Sequence, residues 1–331
     1  MTKIEWTDAV WNPVTGCSKV SQGCRNCYAE RMAKRFAGMN GYPADDPFKV
    51  TLHPDKLDLP LRWKKPRRIF VNSMSDLFHK DVPDEFIDRV FATMALCSHH
   101  TFQILTKRPE RMAAYVNGMQ RETIESYGET FIDIPRLQSA PDAWPLPNVW
   151  LGTSIEDQPT ANRRIPELLK CQASVLFISA EPLLGPVDLT EVELPSRYNV
   201  TPTTPAYINA LTRMDDDHLY NVHDALDWVI VGGESGPGAR PMHPDWVRAI
   251  RDVCQVSGTP FLFKQHGEWL PADEHMRGMW PERANGKVIA REWWPRHDWE
   301  DGLPSFRVGR RRAGRRLDGR IWDEYPEVRH A

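Results

Sequence analysis

No apolar run in this chain approaches the roughly 20 residues that a bilayer-crossing helix needs, and the opening stretch MTKIEWTDAVWNPV lacks the apolar core of a signal peptide. Both absences lead to the expectation of a cytosolic, cytoplasmic protein with no membrane partner. Strong net charge is also missing: the balance is −3, so any affinity for nucleic acid or lipid headgroups has to come from a local patch. Cysteine is scarce, with six in 331 residues. Cys97, Cys171 and Cys254 stand alone in helical or apolar settings and read as buried small hydrophobes, while disulfides are not expected in a reducing compartment. There is no internal repeat and no low-complexity tract long enough to be a disordered linker.

Short apolar runs recur: RIFVNSMSD (68–76), TFQILTKR (101–108), NVWLGTSIED (148–157), SVLFISAEPL (174–183), DWVIVGGESG (227–236) and PFLFKQHGEW (260–269). Continuous rather than alternating apolar residues mark strands buried on both faces. Between several of them lie amphipathic segments with helix signals, at 83–98, 108–119, 158–170 and 243–258, the last closed by Gly258. This βαβα order predicts an α/β fold with a parallel sheet, either a barrel or an open sheet. The predicted organisation is an α/β barrel over 1–270, with insertions at about 120–147 and 186–226, and a Trp- and Arg-rich C-terminal extension over 271–331 packed on it.

In such a fold, reactive residues collect where strands end. All six runs finish in polar or charged residues, which supply Asn72, Ser73, Ser75 and Asp76, then Lys107 and Arg108, then Glu156, Glu181, Glu234 and Lys264. The stretch VGGESGPGAR (231–240) has neither the spacing of a dinucleotide-binding turn nor a Walker lysine. It reads as a loop whose glycines let the backbone approach a ligand closely, with Glu234 available to an amine or hydroxyl.

The remaining cysteines fall in GCSKVSQGCRNCYAE (16–30), spaced C-x6-C-x2-C. A structural zinc ion would need a fourth ligand from a distant residue such as His53, His79 or His266. A four-iron cluster held by three thiolates leaves one iron open to a ligand.

Segments spread almost end to end carry a more specific resemblance: WNPVTGCSKVSQGCRNCYAE (11–30), FVNSMSDLFH (70–79), LTKRPERM (105–112), WLGTSIEDQ (150–158), SAEPLLGP (179–186), VGGESGPGARPMH (231–243), FKQHGEW (263–269) and AGRRLDGRIWDEYP (313–326). With these the chain resembles the phage and prophage three-cysteine-motif proteins of uncharacterised function, a radical S-adenosylmethionine-like branch similar to spore photoproduct lyase-like DNA repair enzymes. It departs from their usual C-x3-C-x2-C by lengthening the first gap. The resemblance implies a partial or full TIM-like (βα) barrel of the radical SAM type. It also implies a 4Fe-4S cluster on Cys17, Cys24 and Cys27, S-adenosyl-L-methionine on the open iron, and a 5′-deoxyadenosyl radical as the hydrogen-abstracting species. Ser73, Ser75 and Asp76 are then expected to contact the cofactor's amino group, Glu156, Glu181 and Glu234 to position it, and Tyr28 to pack beside the cluster or adenine or else to serve as a core aromatic. An electron donor such as flavodoxin or ferredoxin is implied, and a partner protein could deliver the substrate.

The segment RVGRRRAGRRLDGR (307–320) has seven arginines against one aspartate. Arg310, Arg311, Arg312, Arg315 and Arg316 are therefore candidate phosphate contacts for a nucleic acid or nucleotide, with nearby tryptophans to stack on bases. The alternative for these arginines is pairing with the chain's own carboxylates, and the two glycines of GRRLDGR favour a docked loop. The function expected is modification or repair of a nucleic-acid base or nucleotide. The alternative is a non-catalytic nucleic-acid-binding protein that holds zinc or an iron–sulfur cluster for structure or sensing.

Overall fold

The computed structural model describes residues 4–118, 145–201, 203–212, 225–274 and 294–327. Seven short strands follow one another along the chain and pair in that same order: β1 (Ala9–Trp11), β2 (Arg68–Val71), β3 (Thr101–Thr106), β4 (Val149–Ile155), β5 (Val175–Ala180), β6 (Trp228–Gly232) and β7 (Phe261–Gln265). Every pairing is parallel. A parallel sheet wound in strict sequence keeps its crossovers on one face, so the other face must curl onto itself. The result is an open, curled half barrel, the partial form of the predicted α/β barrel. Five helices pack around it: α1 (Tyr28–Arg35), α2 (Asp84–Leu96), α3 (Pro109–Gly118), α4 (Gln158–Leu168) and α5 (Pro244–Ser257).

Side chains alternate across the strands, so each strand serves two cores. Ile69, Phe102, Ile104, Leu151, Ile178, Val229 and Phe263 join the helices in the outer core, where Cys97, Cys171 and Cys254 are also buried. Their neighbours in sequence face inward. Trp150, Val175, Phe177, Trp228, Ile230 and Leu262 form a second cluster with Trp6 on the concave face. Trp228 meets Trp150 edge-on with ring centroids 5.8 Å apart and Trp6 at 6.3 Å. These residues sit near the strand starts and make an aromatic floor, each buried ring removing area worth on the order of 5 kcal/mol of gross transfer free energy.

The open side of the sheet is covered by the last described residues. Phe263 N–H donates to the Trp322 carbonyl at 3.0 Å and Glu324 N–H to the Phe261 carbonyl at 3.2 Å, which lays this segment along the free edge of β7. Tyr325 then stacks on Trp228 at 5.2 Å and under the Arg68 guanidinium at 4.2 Å. Before it, β8 (Trp269–Pro271), β9 (Arg296–Asp298) and β10 (Pro304–Arg307) form a small antiparallel sheet in the order β8-β10-β9. Between β5 and β6 the described residues hold a two-stranded ribbon, Val192–Glu193 with Tyr207–Ile208, and a single 3-10 turn, Ser196–Tyr198. Most of the predicted 120–147 insertion, parts of the 186–226 insertion and Trp280 and Trp293 of the extension lie outside the described residues. Among the described residues no helix is long and apolar enough to cross a membrane.

Candidate active site

The loop between β1 and α1 holds all three clustered cysteines. Gly16 N–H donates to the Met74 carbonyl at 3.1 Å and Cys17 N–H to the Phe48 carbonyl at 3.0 Å, fixing the first thiol beside the end of β2. A single turn over Gln22–Cys24 reverses the chain, and Cys27 sits immediately before the first residue of α1. The three thiols are free and partly exposed, and all line one cavity of about 650 Å³ at the C-terminal mouth of the sheet. Trp6, Phe70 and Leu105 form its base, while Ser73, Ser75, Asp76, Glu181 and Glu234 stand on its wall.

The six residues between Cys17 and Cys24 are pinned from the strand ends. Ser18 Oγ lies 2.7 Å from His79 Nε2 and accepts from Arg108 Nη2 at 3.0 Å. His79 Nδ1 accepts the Asp81 N–H at 3.2 Å, so its Nε2 carries the proton toward Ser18. Ser21 Oγ donates to Glu156 Oε1 at 2.8 Å. Gly23 lies directly on that carboxylate: a Cβ there would stand 2.4 Å from Oε1, so any side chain would displace either the turn or the anchor. Farther along, Asn26 Nδ2 donates to Glu234 Oε2 at 3.0 Å and to the Gly238 carbonyl at 2.8 Å, and Arg240 Nη2 to the Gln22 carbonyl at 3.0 Å.

Each acid at the strand ends is matched to a cation. Asp76 accepts from Thr106 Oγ1 at 2.7 Å, Lys107 N at 3.1 Å and Arg108 Nη1 at 2.8 Å. Glu156 is fully buried between Lys107 Nζ at 2.6 Å and Arg164 Nη1 at 3.1 Å. It does not line the cavity but stands beneath the cysteine loop. Burial pushes its carboxyl pKa up, and the charges of Lys107 and Arg164 more than reverse this, so the net shift is downward. Glu234, clasped by Arg240 Nε at 2.8 Å and Nη2 at 2.7 Å, follows the same pattern: burial raises its pKa, and the Arg240 hydrogen bonds bring it below the ordinary value. Glu181 receives Lys264 Nζ on both oxygens at 2.9 Å. Lys107 stands at a strand end as the sequence indicates, whereas Arg164 and Arg240 are anchors that the sequence does not single out, because only the fold brings α4 and the loop after β6 onto these acids.

Ser73 Oγ donates to Asn12 Oδ1 at 3.2 Å and Ser75 Oγ to the Val14 carbonyl at 2.8 Å. The hydroxyl proton is spent in both, and the lone pairs stay available to a donor. The Tyr28 hydroxyl donates to the Ser73 carbonyl, while the residue keeps 46% of its surface exposed. The C-terminal arginines are docked on the body: Arg310 pairs with Glu5 at 2.6 Å and lines the cavity, Arg315 pairs with Asp323, and Arg316 Nη1 donates to the Gly319 carbonyl at 3.1 Å. Arg311 and Arg312 are exposed.

The donor set fits a multi-iron cluster better than one zinc ion. Thiolates around a tetrahedral zinc stand about 4 Å apart, yet among the described residues the group of three potential ligand atoms within 4.8 Å of one another is His243, Asp245 and Asp301, not the cysteines. That group is a helix cap: His243 Nδ1 accepts the Asp245 N–H at 3.2 Å and its Nε2 faces Asp301 at 3.1 Å. The distant histidines are engaged elsewhere, His53 Nε2 with Thr15 at 2.8 Å and His266 Nε2 with the Arg316 carbonyl at 2.6 Å. Burial, then the Asp76 charge, push the Cys17 thiol up to about 11 against the partial opposition of Arg108. A bound cation is therefore what would convert it to the ligating thiolate.

No curated protein matches the sequence. Among solved structures, a cysteine-to-serine mutant of spore photoproduct lyase aligns with 11% identity and a TM-score of 0.39 over 92% of this chain and 71% of its own. A spore photoproduct lyase mutant with bound AdoMet and dinucleoside spore photoproduct aligns with 10% identity and a TM-score of 0.36, covering 90% of this chain and 67% of that one. The enzyme complexed with dinucleoside spore photoproduct gives 11% identity and a TM-score of 0.37, over 88% and 66%. A family model matches residues 1–326, and the chain accordingly belongs to the DUF5131 family, described as a protein of unknown function.

Proposed function

We propose that this chain is a radical S-adenosylmethionine enzyme that modifies or repairs a nucleic-acid base or nucleotide. Cys17, Cys24 and Cys27 would hold a 4Fe-4S cluster, with the cofactor in the adjoining cavity and reducing equivalents from a carrier such as flavodoxin or ferredoxin. The observation that carries this reading is the convergence of three free thiols, all on the β1–α1 loop, onto one cavity of about 650 Å³ at the mouth of a curled parallel sheet. When bound, the cluster and S-adenosylmethionine supply one-electron cleavage of the sulfonium and a 5′-deoxyadenosyl radical.

The chain's own contribution is to hold and shield. Asp76, Glu156 and Glu234 keep the lengthened cysteine loop rigid through Arg108, Ser21 and Asn26. Ser73 and Ser75 offer acceptor lone pairs toward the cavity, the polarity an ammonium group requires. Glu181, already saturated by Lys264, presents a neutralised pair rather than a free charge. The aromatic base excludes water below the reacting atoms. Arg310 lines the cavity and Arg311 and Arg312 follow it as exposed residues, available in this reading to the phosphates of a nucleic acid.

Anaerobic reconstitution tests the reading. About four irons per chain and a broad visible absorption are expected, followed by 5′-deoxyadenosine on addition of dithionite and S-adenosylmethionine. A colourless protein loaded with one zinc would overturn it in favour of a structural site. Cluster-loaded protein that forms no more 5′-deoxyadenosine than Cys27→Ala, even with oligonucleotides present, would leave an iron–sulfur protein without the radical activity.

A further inference from the structure

The cations that line the cavity are each paired with a carboxylate, with one exception among the described residues. Lys107, Arg108, Lys264 and Arg310 on its wall each meet a carboxylate. Arg31, on the same wall and one helical turn beyond Cys27, has no hydrogen-bonding or ionic partner for its guanidinium among the described residues. Its guanidinium is half-buried at an open mouth, where its five donors are available to an incoming ligand.

The neighbouring backbone is shaped around that side chain. Gly236 has φ +93°, a conformation that other residues rarely adopt, and a Cβ there would lie 2.3 Å from Arg31 Nη1 and 2.5 Å from Nη2. Its N–H is held by Glu268 Oε1 at 2.9 Å, and its carbonyl accepts from Arg307 Nη2 at 3.1 Å. Arg307 likewise has no carboxylate partner among the described residues. Two unneutralised guanidinium groups, from α1 and from β10, thus converge on one glycine at the rim, against the single nearby charge of Glu268. The planar fork of arginine matches the oxygens of a phosphate group.

We propose that Arg31, backed by Arg307 across the Gly236 turn, forms an anion subsite that grips a phosphate of the substrate beside the cysteine cavity. The proposal rests on the reading of the cavity as the reaction chamber and narrows the substrate to one that carries a phosphodiester or phosphate next to the reacting base. A side chain at Gly236 would strain the turn and push the Arg31 guanidinium out of this position.

The test uses the full, cluster-loaded chain and two probes: a deoxyribodinucleotide with its ordinary phosphodiester, and the same molecule with a neutral methylphosphonate linkage. Calorimetry on the wild type should favour the charged probe by roughly 10- to 100-fold, the range of one charge-assisted contact. Arg31→Ala should erase that preference while keeping the melting temperature and iron content, Arg31→Lys should recover part of it, and Arg307→Ala should reduce it. The wild-type preference should shrink with added salt. Equal binding of the two probes by wild type, or an unchanged preference in Arg31→Ala, would overturn the subsite. So would an Arg31→Ala protein that loses S-adenosylmethionine affinity and keeps the charge preference, because the anion would then be the cofactor's carboxylate. Formation of 5′-deoxyadenosine, measured separately, keeps the outcomes apart: a wild type that makes none yet shows an Arg31-dependent preference retains the subsite and loses the radical reading.

Discussion

The concave face of the sheet is built twice from the same strands, and its two ends differ in kind. At the strand starts it is Trp150, Val175, Phe177 and Trp228. A few residues later the same inward positions carry Ser154, Ser179, Glu181 and Glu234. The floor is held by contacts that need only shape and apolarity. At the mouth, buried acids survive because each meets a cation of its own, and those pairs in turn hold a loop. Stability and chemistry are thus separated along the strand axis by roughly 3.3 Å per residue, which permits variants that damage one end and spare the other.

The sharpest separation is expected from Cys27→Ala, which should abolish cluster uptake, with iron falling from about four per chain to near zero, while thermal unfolding stays close to wild type. Trp228→Ala should do the reverse: a loss of about 3–5 kcal/mol from cavity creation, read as a lower melting temperature, with iron binding retained wherever the protein remains folded. A Trp228 variant that fails to bind iron while folded would break the division. Glu156→Gln probes the join between the ends. It leaves Lys107 and Arg164 buried with half their partner gone and should cost about 3 kcal/mol. Because the folded carboxyl is held below its ordinary value, Glu156 stabilises above an unfolded pKa of about 4.3 and ceases to do so as pH falls through the lower folded value. The gap between wild type and variant in chemical denaturation should accordingly close in acid.

His266 gives the mildest effect at neutral pH. Burial lowers its pKa from 6.5 to about 4, so the unfolded chain takes up a proton first. Its contribution is complete above about 6.5 and should decline by about 3 kcal/mol as pH falls toward 4. The proton goes to the unpartnered Nδ1 and the Nε2–H bond to the Arg316 carbonyl is kept, so the cost is that of a buried charge, detected as a lower denaturation midpoint in acid that His266→Gln does not share.

The sheet was legible because its strands are continuous apolar runs, and the four longer helices because their caps and stripes are ordinary. β1 and α1 were not: Ala-Val-Trp is too short to declare a strand, and α1 buries only Ala29 and Ala33 in an otherwise polar turn. The cysteine spacing identified the loop, and polar strand ends identified the mouth. What no spacing could reveal is direction. Glu156 ends its strand like Glu181 and Glu234, yet α4 brings Arg164 under it and Gly23 rests on it, so it faces the loop and not the cavity. Arg31 went unnoticed for the opposite reason, since one arginine on a polar helix stands out only once its neighbours are found to be paired.

Tyr325 closes the floor against Trp228 and hydrogen-bonds the carbonyl of Glu5, a contact spanning 320 positions of sequence. During synthesis the aromatic layer therefore stays incomplete until almost the whole described chain has left the ribosome. The cysteine loop emerges among the first residues but gains its anchors from strands made much later. The arrangement of the three thiols is therefore fixed only near the end of synthesis, and under the proposed function a metal cluster would find its formed site no earlier than that.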